Sequence, residues 1–145
     1  MEMVACIVLI YTSLFQNLKN PSYYKVKAMK KNSNKKANCF FDDVFEVVKL
    51  IPKGKVTTYG AIANYLGTKS SARMVGWAMN ASHTSSLKIP AQRVVNRNGM
   101  LTGKHHFTTI TEMEELLKKD GLNVLNDTVV DFKNKFWDPA IEIDL

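Results

Sequence analysis

Cysteine is scarce. The chain has two, Cys6 and Cys39, which form neither a metal-ligand spacing nor a disulfide framework. Free thiols of this kind suit a reducing compartment. His105 and His106 are adjacent, but no third ligand at a supportive spacing accompanies them, so no metal site is expected. Long apolar runs are also missing. Met3 to Phe15 is mostly apolar but too short to span a bilayer. It makes a poor secretory signal as well, since Glu2 leads, positive charge follows the apolar run instead of preceding it, and no small-x-small cleavage site stands out. No internal repeat is visible.

The most informative absence is of acid. From Val47 to Ile110 there are nine Lys and Arg and not one Asp or Glu. From Thr111 to Leu145 there are nine acids and four Lys. The net charge of +7 is unevenly spread, because residues 1–36 hold seven Lys and one Glu. The remainder is close to neutral overall, yet segregated enough to present one basic face, which is what phosphates select. The competing reading, lysines as plain solvated surface, is weakened by the length of the acid-free run.

The length of 145 residues suits one domain with a real core. Residues 1–38 read as an extension outside that domain, with Met29 a candidate functional start. Its Lys-rich, Asn- and Ser-containing part has the composition of a disordered segment that adds non-specific DNA affinity. The domain is expected over 39–145.

Phe41, Val44, Phe45 and Val48 mark one face of a first helix, stopped by Ile51-Pro52-Lys53-Gly54. Thr58 caps a second helix with Ala61, Ile62, Tyr65 and Leu66 inward, and Gly67 closes it. Ser70 or Ser71 caps a third helix to about Asn80, with Ala72, Val75, Ala78 and Met79 inward. Helix, brief turn, helix, with small residues at the crossing, is a helix-turn-helix pattern. Val94-Val95 and Met100-Leu101 read as a hairpin around Asn98-Gly99. Thr111 and Glu114 read as a capping box for a further helix with Met113, Leu116 and Leu117 inward, ended by Gly121. Val124 to Phe132 is strand-like.

Five segments carry a resemblance. They are Ile51-Pro52-x-Gly54-x-Val56-x-x-Tyr59-Gly60-x-Ile62-Ala63-x-x-Leu66-Gly67, then Ala72-Arg73-x-Val75-Gly76-x-Ala78, then Ile89-Pro90-x-x-Arg93-Val94-Val95, then Gly99-x-Leu101-x-Gly103, and last Leu116-Leu117-x-x-Asp120-Gly121. In this order and spacing the chain resembles the O6-alkylguanine-DNA alkyltransferases, from about Phe40 to Phe136. The family's active-site segment reads Pro-Cys-His-Arg-Val-Val. Here Ala91 stands at the Cys position and Gln92 at the His position, while Asp120 stands where the family has the Glu that orients that His. A methyl group has no lone pair with which to attack carbon, and thiolate chemistry depends on such a partner. The resemblance is therefore to the alkyltransferase-like, non-catalytic members of the family.

The resemblance implies a mostly α fold with small β elements, a winged helix-turn-helix domain of the alkyltransferase C-terminal type. It implies that Arg73, in the first turn of the recognition helix, fills the gap left by an extruded guanine. It implies that Tyr59 presses on the phosphate backbone during extrusion, with Thr58 and Ser71 as further DNA contacts. It also implies a lesion pocket at Ala91, Gln92, Val94, Val95, Gly103 and Lys104, and a structural Arg93. The family's lid after Gly103 is replaced by Lys104-His105-His106-Phe107.

The leading expectation is a sensor that binds O6-alkylguanine in duplex DNA by base flipping, without cofactor or transfer, and flags it for nucleotide excision repair. Loss of the thiol leaves room for bulkier adducts. A monomer in the cytoplasm, associated with the nucleoid and with no membrane partner, is expected. Two alternatives stand beside it, an active alkyltransferase using another residue such as Cys39, and a sequence-specific helix-turn-helix regulator.

Overall fold

Helix α1 (Phe40–Lys49) forms where the apolar spacing predicts it and buries Val44, Phe45, Val47 and Val48. Asp42 and Asp43 in its first turn and Lys49 in its last complement the helix dipole. The helix stops short of Pro52. A turn follows in which Lys55 N–H donates to the Pro52 carbonyl at 3.2 Å and Gly54 takes φ +77°. The computed structural model describes residues 40–67, 72–84 and 87–143.

Strand β1 (Thr57–Thr58) runs directly into helix α2 (Tyr59–Tyr65). Thr58 is the expected cap, its Oγ1 accepting from the Ala61 N–H at 3.1 Å. Ile62, Ala63 and Tyr65 are buried, and Gly67 at φ +62° ends the turn beyond the helix. Helix α3 (Ala72–Thr84) is a turn longer than expected. Its inward residues are Val75, Ala78, Met79 and Ser82, whereas Ala72, expected inward, is exposed in the first turn. Ser82 is accommodated because its Oγ donates to the Met79 carbonyl at 2.6 Å. The chain ends in two short helices, α5 (Phe132–Lys135) and α6 (Pro139–Glu142), and α6 packs on α2. Helix α3 packs against both α1 and α2, giving the helix-turn-helix its floor.

The expected hairpin between Val94-Val95 and Met100-Leu101 does not form as such. The Asn96–Gly99 turn exists, with Asn96 Oδ1 accepting from the N–H groups of Asn98 and Met100 at 2.9 and 2.8 Å. Strand β2 (Val94–Val95), however, pairs in parallel with β1, Thr57 opposite Val94 and Thr58 opposite Val95. The Gly99–Leu101 segment turns instead to the hairpin of β3 (Val124–Leu125) and β4 (Thr128–Val129), where Val129 N–H donates to the Gly99 carbonyl at 2.9 Å. That hairpin is closed by Asn126 and Asp127, both at positive φ, a two-residue loop whose twist suits paired strands. The capping box at Thr111 is likewise absent. Thr111 has helical dihedrals and makes no side-chain cap to helix α4 (Glu112–Lys119). Glu112 reaches back to the Thr108 N–H at 2.8 Å, and Glu114 pairs with Lys118.

Because successive strand residues face opposite ways, β2 separates two cores. Val94 joins the helical cluster of α1, α2 and α3 with Ala91, Trp137 and Ile143. Val95 joins Val56, Leu101, Met113, Leu117, Leu122 and Val129 on the other side. Phe107 packs against both. Among the described residues no helix is long and apolar enough to cross a membrane.

Candidate nucleic-acid interface

A cavity of about 280 Å³ opens between helix α3, the start of α2 and the segment after Gly103. Ala91 and Val94 line its inner part, and Tyr59, Arg73 and Gly103 also line it. Five of the sequence-predicted residues are thus brought to one space, although Arg73 and Ala91 lie on different elements. No Asp or Glu is among the lining residues, as the acid-free segment predicts.

Each wall has a local reason. Tyr59 is the first residue of α2, placed by the Thr58 cap, and its phenol interacts with Thr102. Burial raises the Tyr59 pKa and the Thr102 hydrogen bond works the other way, so the phenol stays protonated and able to donate. Gly103 lets this phenol sit close, since a Cβ there would lie 3.0 Å from the Tyr59 oxygen. Arg73 is exposed in the first turn of α3. Ala91 opens a short 3-10 turn (Ala91–Arg93) and is 8% exposed.

Behind the cavity wall, Asp120 is the hub. Arg93 donates to both its oxygens, from Nε at 2.6 Å and Nη2 at 2.8 Å, and to the Ile51 carbonyl from Nη1 at 2.7 Å. Gln92 Nε2 donates to the same carboxylate at 3.1 Å. Burial works to raise the Asp120 pKa. The hydrogen bonds from Arg93 and Gln92 and the charges of Arg93 and Lys53 outweigh it, holding the carboxyl below its ordinary value. Gln92 is therefore turned toward Asp120 and is not among the lining residues.

Two further pocket assignments are corrected in position. Val95 faces the second core by strand alternation. Lys104 is drawn to Asp127 in an ion pair of 2.5 Å and lines a shallower depression with Met100 and His105. Thr58 Oγ1 accepts the capping N–H of Ala61, an arrangement that leaves its own O–H as a donor. Ser71 and Cys39 lie outside the described residues.

Several lining residues escape a reading of the sequence. Trp77 and Asn80 follow Arg73 at helical spacings of four and seven, so that spacing alone was enough to put them on its face. His83, His106, Phe107 and Met113 come from three separate stretches of chain, and no local pattern brings them together. The His83 ring meets Phe107 edge-on at 4.5 Å and lies 6.3 Å from His106. Burial lowers the His83 pKa, the charge of His106 lowers it further, and Glu112 opposes both. No group of three or more potential metal ligands occurs among the described residues.

Comparison with known proteins gives a consistent picture. The DNA-binding domain of 6-O-methylguanine DNA methyltransferase matches residues 39–122. Alkyltransferase-like protein 1 of Schizosaccharomyces pombe is 33% identical over 94 residues, 65% of this chain and 86% of that protein. The DNA base-flipping protein of Escherichia coli is 28% identical over 137 residues, 93% of this chain and 98% of that protein. The methylated-DNA–protein-cysteine methyltransferase of Shigella flexneri is 37% identical over 86 residues, and the chain spans about half of it, 48%. Among solved structures, S. pombe Atl1 in complex with damaged DNA containing O6-carboxymethylguanine superposes with a TM-score of 0.62 at 30% identity, over 72% of this chain and all of that one.

Proposed function

Because the chain belongs to the 6-O-methylguanine DNA methyltransferase family through its DNA-binding domain, we propose that it binds duplex DNA at O6-alkylguanine, turns the damaged base into the cavity and holds it without transfer. The carrying observation is the residue at the cavity's inner wall. Ala91 stands where the family's active-site segment has its nucleophile, in a space shared with Arg73 and Tyr59. A methyl group cannot accept an alkyl carbon, so binding is what remains of the reaction.

The residue roles follow from position. Arg73, projecting from the first turn of α3, occupies the gap in the duplex and hydrogen-bonds the orphaned base. Tyr59, protonated and set at the start of α2, bears on the phosphate of the extruded nucleotide, offsetting part of the few kcal/mol that unstacking costs. The shortened side chain at Ala91 leaves room for adducts larger than methyl. The lysines of residues 1–36, outside the domain at 39–145, add sequence-independent affinity. The chain acts as a monomer on nucleoid DNA in the cytoplasm, and its complex marks the lesion for excision repair.

Titration of matched duplexes with and without O6-methylguanine, at fixed salt, tests the reading. Tighter binding of the damaged duplex is expected, with no alkyl mass added to the protein afterwards. An alkyl adduct on Cys39 or elsewhere would replace the sensor with a transferase. Preference for a base sequence over a lesion would replace it with a regulator.

A further inference from the structure

Trp77 is 57% exposed, although indole is the side chain with most apolar area to hide. It sits on α3 four residues after Arg73, so the two share the solvent-facing side of the helix. The opposite side, with Val75, Ala78 and Met79, is buried in the core. Trp77 also lines the cavity that holds Ala91. An indole that lines a cavity while more than half exposed stands at its mouth. Gly76 beside it leaves open space, since a Cβ there would meet nothing within 4 Å. Trp77 is not a core residue, whereas the other tryptophan, Trp137, is, at 4% exposed.

Resting on the function proposed above, we infer that Trp77 is a specificity-determining stacking wall, packing its ring against the extruded guanine as that base enters the cavity. The occupant follows from the surroundings. The cavity is lined by one cation, Arg73, by aromatic and apolar side chains and by no Asp or Glu among the described residues, which suits a planar, electron-rich base tethered to phosphate. Stacking needs only a π face, so Trp77 adds affinity whatever the alkyl group is, while Arg73 holds the duplex that the base has left. An unflipped base stays in the helix stack and gains nothing from Trp77. The contribution is therefore confined to damaged DNA, where extrusion is favoured.

Three proteins, the full-length wild type, Trp77→Phe and Trp77→Ala, titrated with O6-methylguanine and undamaged duplexes test this. Aromatic stacking on a base is worth roughly 5- to 150-fold in affinity. Trp77→Ala is expected to lose affinity in that range for the damaged duplex and less than about twofold for the undamaged one. Trp77→Phe keeps most of it, and all three proteins melt together. Wild-type tryptophan emission falls on binding the lesion, whereas Trp77→Phe, which retains only buried Trp137, shows no such fall. Equal losses on both duplexes, or no loss in Trp77→Ala, overturn the inference and leave the proposed function standing. A wild type without lesion preference overturns the proposed function itself.

Discussion

Asp120 holds Arg93 through two hydrogen bonds and Gln92 through a third, with its side chain 7% exposed. Removing one partner of such a pair strands the other charge in a low-dielectric setting. Asp120→Ala is expected to lower unfolding free energy by about 3–5 kcal/mol in a denaturant titration. The pH dependence follows from the depressed pKa. With the folded value below the unfolded one, Asp120 contributes its full stability above the unfolded value, near pH 4, and loses it as pH falls through the folded value. In Asp120→Asn this acid-side loss should flatten when stability is measured from about pH 5 down to about pH 2. Thr57 is the contrary case, fully buried with a hydroxyl that has no hydrogen-bond partner among the described residues. Thr57→Val keeps the shape and removes the unsatisfied group, so unfolding free energy should stay level or rise by about 1 kcal/mol. At Ala91, Ala91→Cys supplies the missing sulfur but no base. Ala91→Cys with Gln92→His should take up labelled alkyl groups faster than Ala91→Cys alone, because an imidazole hydrogen-bonded to Asp120 lowers the thiol pKa.

At the level of elements, the start of the helix-turn-helix depends on one cap, and the joining of β2 to the β3–β4 hairpin on one glycine. The Thr58 hydroxyl satisfies the Ala61 N–H and sets where α2 begins, and with it where Tyr59 points. Thr58→Ala should cost about 0.5–2 kcal/mol, and should weaken lesion binding more than undamaged-duplex binding. Gly99 ties β2's continuation to the β3–β4 hairpin. It has φ +80°, and a Cβ there would come within 2.8 Å of Phe132 Cγ. Gly99→Ala combines backbone strain with a clash and is expected to cost about 1–3 kcal/mol, read as a lower denaturation midpoint.

Over the whole molecule, charge follows the order of the chain. The acid-free run from Val47 to Ile110 builds α2, α3 and nearly all of the cavity wall, with only Met113 drawn from the acidic segment. A phosphate backbone brought to the cavity would therefore meet no acid of its lining, since the acids of α4 do not line it. Replacing the seven lysines of residues 1–36 by Gln should make the log–log salt dependence of duplex binding shallower, by about 0.9 for each phosphate that is no longer neutralised. The ratio of damaged to undamaged affinity should stay as it was, since the proposed function assigns lesion recognition to the cavity.

By itself the sequence determined the course of the three helices, the stop after the first of them at Pro52 and Gly54, the missing nucleophile and the acid-free run. Each is written in local spacing or in residue identity, through the apolar periodicity of Val44 and Val48, the cap at Thr58, and a methyl where chemistry needs sulfur. Only the tertiary structure decided the pairing and direction of what those elements carry. Val94-Val95 joins a distant β1 in parallel, and strand alternation then sends Val94 toward the cavity and Val95 into the other core. Asp120 turns Gln92 away, Asp127 draws off Lys104, and three separate elements bring His83, His106 and Met113 to one opening. These outcomes rest on contacts between residues far apart in the chain, where long-range pairing and burial choose among arrangements that local pattern leaves equal.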